Sequence, residues 1–215
     1  MNFSTDHKYI INLEKRIDRL KHITEEMDYY GFKNWEIVSA IDGDSITPTK
    51  PKAKHLPQSI TGNQLACLRT HASIIKEAKK KKLEYVTILE DDCLFHKDFN
   101  LLYPKYLSQV LSNWDFLYIG ANHCATPEQV TENVVKCKYA NTTVCYVIRQ
   151  SLYDHIIREA YNEEMPIDMI YAMKVQPFYN VYAFTPNLVS QKAGYSDIEK
   201  KDVDYSKYYN KNANV

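Results

Sequence analysis

The chain has 215 residues, 45% of them hydrophobic, which is enough for one domain with a sizeable core. Its 27 Lys+Arg balance 27 Asp+Glu. Zero net charge excludes a generic nucleic-acid or anionic-membrane binder, which carries a clear basic excess. The five cysteines, Cys67, Cys93, Cys124, Cys137 and Cys145, include no Cys-x-x-Cys pair. Neither a disulfide scaffold nor a structural zinc site is expected. The first residues are polar, and no apolar run reaches transmembrane length. A soluble protein of a reducing, cytoplasmic compartment is the expectation.

Lys8 to Leu13 reads as the first strand. From Glu14 the pattern turns helical, with Ile17, Leu20, Ile23 and Met27 as an apolar stripe and Gly31 as the stop. Arg16 and Arg19 fall on the first turns, where a phosphate lies in a nucleotide-binding α/β unit. A solvated helix face is the plainer reading of both arginines. Trp35 to Ala40 is the second strand, followed by a turn over Ile41 to Asp44. A carboxylate at this place suits ribose hydroxyls, which makes Asp42 a candidate, although turn chemistry alone explains it. No Gly-x-Gly-x-x-Gly and no Walker loop occurs.

Thr47 to Ser59 holds Pro48, Pro51 and Pro57 and reads as a long loop, a candidate lid. A helix from Asn63 to about Lys80 follows, with Leu65, Leu68, Ile74 and Ile75 at helical spacing and a lysine run at its end. It carries His71, which reads as a structural histidine. Then comes the most informative stretch. Tyr85 to Leu89 is an apolar, β-branched and aromatic strand that ends in Glu90, Asp91 and Asp92. Three adjacent carboxylates at a strand end repel each other and resist desolvation, and a divalent cation relieves both. Oxygen donors favour Mg²⁺ or Mn²⁺, and ligands of open α/β sheets bind beyond strand ends. The alternative is a solvated acidic turn.

Further on, helix is expected over 101–111, strand over 114–120 and loop over 124–135. Thr143 to Ile148 reads as a buried strand, followed by a helix from Ser151, its cap, to Tyr161. Pro166, Ile167 and Asp168 open another helix. Asn180 to Phe184 is the last strand, and a polar tail follows. Strands alternating with helices give an α/β fold with a mixed sheet, one domain over 1–200 and a polar tail over 201–215.

The ordered motifs resemble glycosyltransferase family 25, the group of lipooligosaccharide and collagen galactosyltransferases. Ile11-Asn12-Leu13 with Arg16, Asp18 and Arg19 resembles the family's opening "INL-x-x-R-x-D-R". Ala40-Ile41-Asp42-Gly43 resembles "A-x-D-G", and Cys67 to His71 resembles "C-x-x-S-H" with Thr70 for Ser. Ile88 to Asp92 matches "ILEDD", and Trp114 to Gly120 matches "WD-x-x-Y-x-G". Pro166-Ile167-Asp168 resembles "P-V-D"; Pro186 to Gln191 and Ser196-Asp197-Ile198 resemble the closing motifs. Two departures stand out: Asn63-Gln64 replaces a common Gly-Glu, and no histidine follows His155.

The resemblance implies a GT-A type fold, a Rossmann-like nucleotide-diphospho-sugar transferase with a mixed central sheet. It implies inverting transfer of a hexose (galactose, glucose or N-acetylglucosamine) from a UDP-sugar to a glycan or protein-linked hydroxyl. Mn²⁺ or Mg²⁺ would be held by Asp92 and Glu90. Asn12, Leu13, Arg16, Arg19, Asp42, Glu90, Asp91, Gln191 and Ser196 would bind the donor, and Asp168, or else Asp197, would be the base. The resemblance implies glycan synthesis of the lipopolysaccharide type, and a composition rich in Tyr, Lys, Asn and Ile suggests a microbe or a large virus as the source. The rival readings are a degenerate glycan- or partner-binding protein of the same fold and a metal-dependent phosphohydrolase.

Overall fold

The computed structural model describes residues 1–48 and 60–209. The expected lid, Thr47 to Ser59, falls largely outside them. Eight strands form one mixed sheet: β1 (Lys8–Asn12), β2 (Trp35–Ser39), β3 (Tyr85–Glu90), β5 (Phe116–His123), β6 (Glu128–Thr131), β7 (Val134–Lys136), β8 (Ala140–Arg149) and β9 (Val181–Phe184). Their order is β2-β1-β3-β8-β5-β9-β7-β6. The strands β1, β2 and β3 run parallel, β8 runs antiparallel between β3 and β5, and β9 runs parallel to β5. The carboxyl ends of β1, β3 and β5 and the amino end of β8 therefore share one edge of the sheet.

Alternation along the strands builds a core on each face. Val86, Ile88, Tyr146 and Ile148 pack on one side beneath α2 (Gly62–Lys80), α4 (Tyr153–Tyr161) and α5 (Ile167–Ile170). Leu89, Cys145 and Val147 pack on the other beneath α1 (Ile17–Tyr29) and α3 (Phe99–Leu107). Thr61 caps α2 with a capping box: its Oγ1 accepts from the Gln64 amide and Gln64 Oε1 accepts from the Thr61 amide. A short strand β4 (Cys93–Phe95) pairs antiparallel with β10 (Val189–Gln191), and β11 (Gly194–Ser196) pairs with β12 (Lys201–Val203).

Several expectations change. Ile17 is 74% exposed, so the stripe of α1 is Ile23 and Met27, with Arg16 at the helix boundary. The third helix starts at Phe99 and ends at Leu107. The loop expected over 124–135 is in fact a hairpin of β6 and β7, and β7 continues the sheet through β9. Its signal was weak because Asn133, Val134 and Val135 are the buried residues there, and they form no alternating pattern. Ser151 is not a side-chain cap: its hydroxyl donates to Asp115 Oδ1, and a tight turn over Gln150–Leu152 leads into α4. Within the expected tail, Lys201–Val203 is a strand and Ser206–Tyr209 a helical turn.

Candidate active site

The acidic end of β3 is buried and organised. Asn12, from the end of β1, donates to Asp91 Oδ2 at 2.7 Å. Arg19 Nη1 lies 3.0 Å from Asp91 Oδ1 and 2.9 Å from Asp92 Oδ2. Gln191 reaches across from β10 and donates to Asp92 Oδ2 at 2.9 Å, because the register of β10 on β4 sets Gln191 opposite Cys93. The second oxygen, Asp92 Oδ1, is buried and has no hydrogen-bond partner. Burial, with Glu90 and Asp91 nearby, pushes Asp92 up to about 7, against the pull of Arg19. Burial also raises Asp91.

Glu90 turns another way. It accepts from the Thr143 hydroxyl on β8, and its Oε1 lies 3.6 Å from His71 Nε2. Burial pushes its pKa up, but His71, Thr143 and Arg19 outweigh that and hold it below the ordinary carboxylate value. His71 is itself buried and its Nδ1 sits 2.6 Å from the Tyr146 hydroxyl.

Two clefts meet here. The first spans about 720 Å³, part of it open to solvent. Its lining includes Leu13, Ala40, Ile41 and Gly43 and the charged residues Arg16, Arg19, Asp91, Asp92 and Asp197. The second is lined by Asn122, Asn141, Thr143, Asp168, Glu199 and Tyr205. Glu90, Cys67, Gln191 and Ser196 line both.

The closing segment bends across the first cleft and is latched there. Arg16 Nη1 binds Asp197 Oδ2 at 2.5 Å, and Asn63 donates to the Asp197 carbonyl at 2.8 Å. Arg16 and Arg19 both donate to the Tyr195 carbonyl. Lys200 pairs with Asp44 at 2.7 Å.

Most of the residues expected from sequence converge. Leu13, Arg16, Arg19, Glu90, Asp91, Asp92, Gln191, Ser196 and Asp197 all line the first cleft, and Asn12 braces it from behind. Asp42 does not reach in: its carboxylate is held by Lys15 at 2.8 Å and accepts from the Asp44 amide. Asp168 lies in the second cleft, where its Oδ1 accepts from the Met169 amide. Burial raises the Asp168 pKa, and the charge of Glu90 adds to the rise. Asp197 lies in the first cleft, not beside Asp168. Sequence reasoning missed Thr143 and read His71 as structural. The four-residue spacing of Cys67 and His71 on one helix face was the available signal.

Residues 5–171 match the pattern described as Glycosyltransferase family 25 (LPS biosynthesis protein). The chain belongs to that family. Procollagen galactosyltransferase 2 of Homo sapiens is 28% identical over 162 residues, covering 66% of this chain and 26% of the relative. A Rattus norvegicus relative described as a probable inactive glycosyltransferase 25 family member 3 is 24% identical, over 66% of this chain and 28% of its own length. The chain thus spans little more than a quarter of these relatives. Among solved structures, a glycosyltransferase involved in the glycosylation of the major capsid of PBCV-1 shares the fold, with a TM-score of 0.50 at 13% identity and 84% and 83% coverage. The fold is the GT-A type, mixed α/β with a large mixed sheet. Among the described residues no helix is long and apolar enough to cross a membrane.

Proposed function

We propose that this protein is a metal-dependent inverting glycosyltransferase that moves a hexose (galactose, glucose or N-acetylglucosamine) from a UDP-sugar to a hydroxyl of a glycan or protein-linked acceptor. The observation that carries the reading is the meeting of two clefts at Glu90, one flanked by arginines and buried acids, the other holding Asp168.

In this reading the first cleft takes the nucleotide. Leu13, Ala40 and Ile41 pack on the nucleoside, and Arg16 and Arg19 face the diphosphate. Asp42 contributes to the ribose only after release from Lys15. The buried Asp92 oxygen without a partner fits a hard cation, with Asp92 as holder and Glu90 beside it. Such a cation, when bound, neutralises charge developing on the departing diphosphate. Arg19 meanwhile balances the same acids, and a cation there frees its guanidinium for the phosphates.

The second cleft takes the acceptor. Asp168 removes the proton of the acceptor hydroxyl as its oxygen attacks the anomeric carbon from the face opposite the nucleotide. One C–O bond forms, the bond to the diphosphate breaks, and UDP leaves with the configuration inverted. The raised pKa of Asp168 brings it nearer the working pH of a base.

Thermal shift with UDP, GDP, CMP and their sugars, each with Mn²⁺ and with chelator, tests this, because a ligand of the native state raises the melting temperature. A cation-dependent shift with UDP compounds supports the reading, and no shift with any nucleotide refutes it. The rival, a binding protein of the same fold, draws support from the rat relative described as probable inactive and from Gln64 where family members commonly carry a carboxylate. Transfer or hydrolysis of any UDP-sugar excludes it.

A further inference from the structure

Cys67 and His71 stand one turn apart on α2 and point the same way, yet the transfer reading gives neither a task. Glu90 meets them from the end of β3. One sulfur, one ring nitrogen and one carboxylate oxygen lie within 4.8 Å of one another, and no other such trio of His, Cys, Asp or Glu occurs among the described residues. We propose that Cys67, His71 and Glu90 bind a borderline-soft divalent cation, Zn²⁺ by preference, with a coordination position left open to the two clefts.

Three lines of geometry support the site. A sulfur, a nitrogen and an oxygen donor plus one open position is a zinc donor set, quite unlike the all-oxygen set at Asp92. The ring of His71 is held in the way of a metal ligand. Its Nδ1 is engaged by the Tyr146 hydroxyl at 2.6 Å, which is backed by the Tyr171 hydroxyl at 3.0 Å, leaving Nε2 to face Glu90. Finally, Nε2 and Glu90 Oε1 stand 3.6 Å apart, too long for a hydrogen bond, so both face the same space while Oε1 also accepts from the Thr143 hydroxyl. Binding requires Cys67 as thiolate, so one thiol proton passes to solvent for each ion bound.

Both Cys67 and Glu90 line the two clefts, so an ion here sits at their junction. Glu90 then serves either the zinc site or the oxygen-donor cation. If the transferase reading holds, Zn²⁺ is an inhibitor that competes with Mn²⁺.

The test titrates Co²⁺, a spectroscopic stand-in for Zn²⁺, into the full chain without nucleotide. The expected result is one equivalent bound, a thiolate-to-cobalt charge-transfer band in the near ultraviolet, and displacement by Zn²⁺. Cys67→Ser abolishes the band, His71→Gln weakens binding at least about tenfold, and Cys124→Ser, at the exposed cysteine, keeps both. Absence of the band, or its survival in Cys67→Ser, overturns the proposal. Should the variants not fold, X-ray absorption of the Zn²⁺-loaded wild type decides: one sulfur neighbour supports the site and none rejects it. A chain that binds Co²⁺ here yet responds to no UDP-sugar refutes only the transferase reading. One that transfers sugar but shows no band refutes only the zinc site.

Discussion

Arg19 grips Asp92 by one oxygen only: Nη1 lies 2.9 Å from Oδ2, while Oδ1 stays buried without a partner. The arginine is thus the internal counter-charge of an acidic site that it satisfies incompletely. The same nitrogen also holds Asp91 at 3.0 Å, so one cation balances two buried carboxylates.

Removing that counter-charge leaves both acids uncompensated. Arg19→Ala should lower stability by about 3 kcal/mol in chelator, the usual order for breaking a buried pair. Mn²⁺ should restore much of the loss by taking over the charge. Urea melts with chelator and with Mn²⁺ read both effects. A variant as stable as wild type in chelator, or one that Mn²⁺ does not rescue, contradicts this account of the site.

Much of this was legible from the sequence because it is local. The apolar run of β3 breaking into Glu90, Asp91 and Asp92 pointed to the candidate site, and the helical spacing of Leu65, Leu68, Ile74 and Ile75 marked α2. What stayed hidden was non-local. Nothing near Arg19 announces Asp91, 72 positions away, and nothing near Asp92 announces Gln191. The edge hairpin was missed because β6 is polar and none of its four residues is buried, so burial never patterned it. Gln64, which looked like a lost carboxylate, closes the capping box and also lines the second cleft.

Gly120 shows how backbone packing sets the contact of Gln191 with Asp92. A Cβ built there would stand 2.2 Å from the Val189 carbonyl oxygen, a contact with rigid backbone. Gly120→Ala must push β10 away from β5, and Gln191 moves with it. The expected cost is about 2 kcal/mol, together with weaker cation-dependent UDP binding. Denaturant melts and the same binding assay check it, and a neutral substitution would show that β10 shifts freely.

Lys8 predicts a pH dependence remote from the site. It is buried on β1 and donates to the carbonyls of Asp6 and Lys33. Burial lowers its pKa from 10.5 to about 8. Below about 8 both the folded and unfolded chains carry the proton, and the burial cost stands in full. Between about 8 and 10.5 the unfolded chain binds more protons, so this group adds stability as pH rises. The whole span corresponds to about 3 kcal/mol. Denaturant unfolding of wild type and Lys8→Met across this range should show the wild type gaining on the variant. Parallel curves would mean that Lys8 titrates normally.

Asp168 carries the most direct test of the chemistry. Its carboxylate is in the second cleft, its pKa is raised by burial, and one oxygen is already fixed by the Met169 amide. A base removed from the acceptor side should affect the chemical step and leave donor binding alone. Asp168→Asn keeps the shape and the bond to Met169, so it should abolish transfer with UDP-sugar affinity nearly unchanged. Transfer within about tenfold of wild type corresponds to a barrier change of only about 1.4 kcal/mol, too small for loss of the base. In that event Asp197 is poorly placed to replace it, since Arg16 holds its carboxylate in the nucleotide cleft. Glu90, which lines both clefts, becomes the residue to substitute next, and Glu90→Gln should then remove transfer where Asp168→Asn did not.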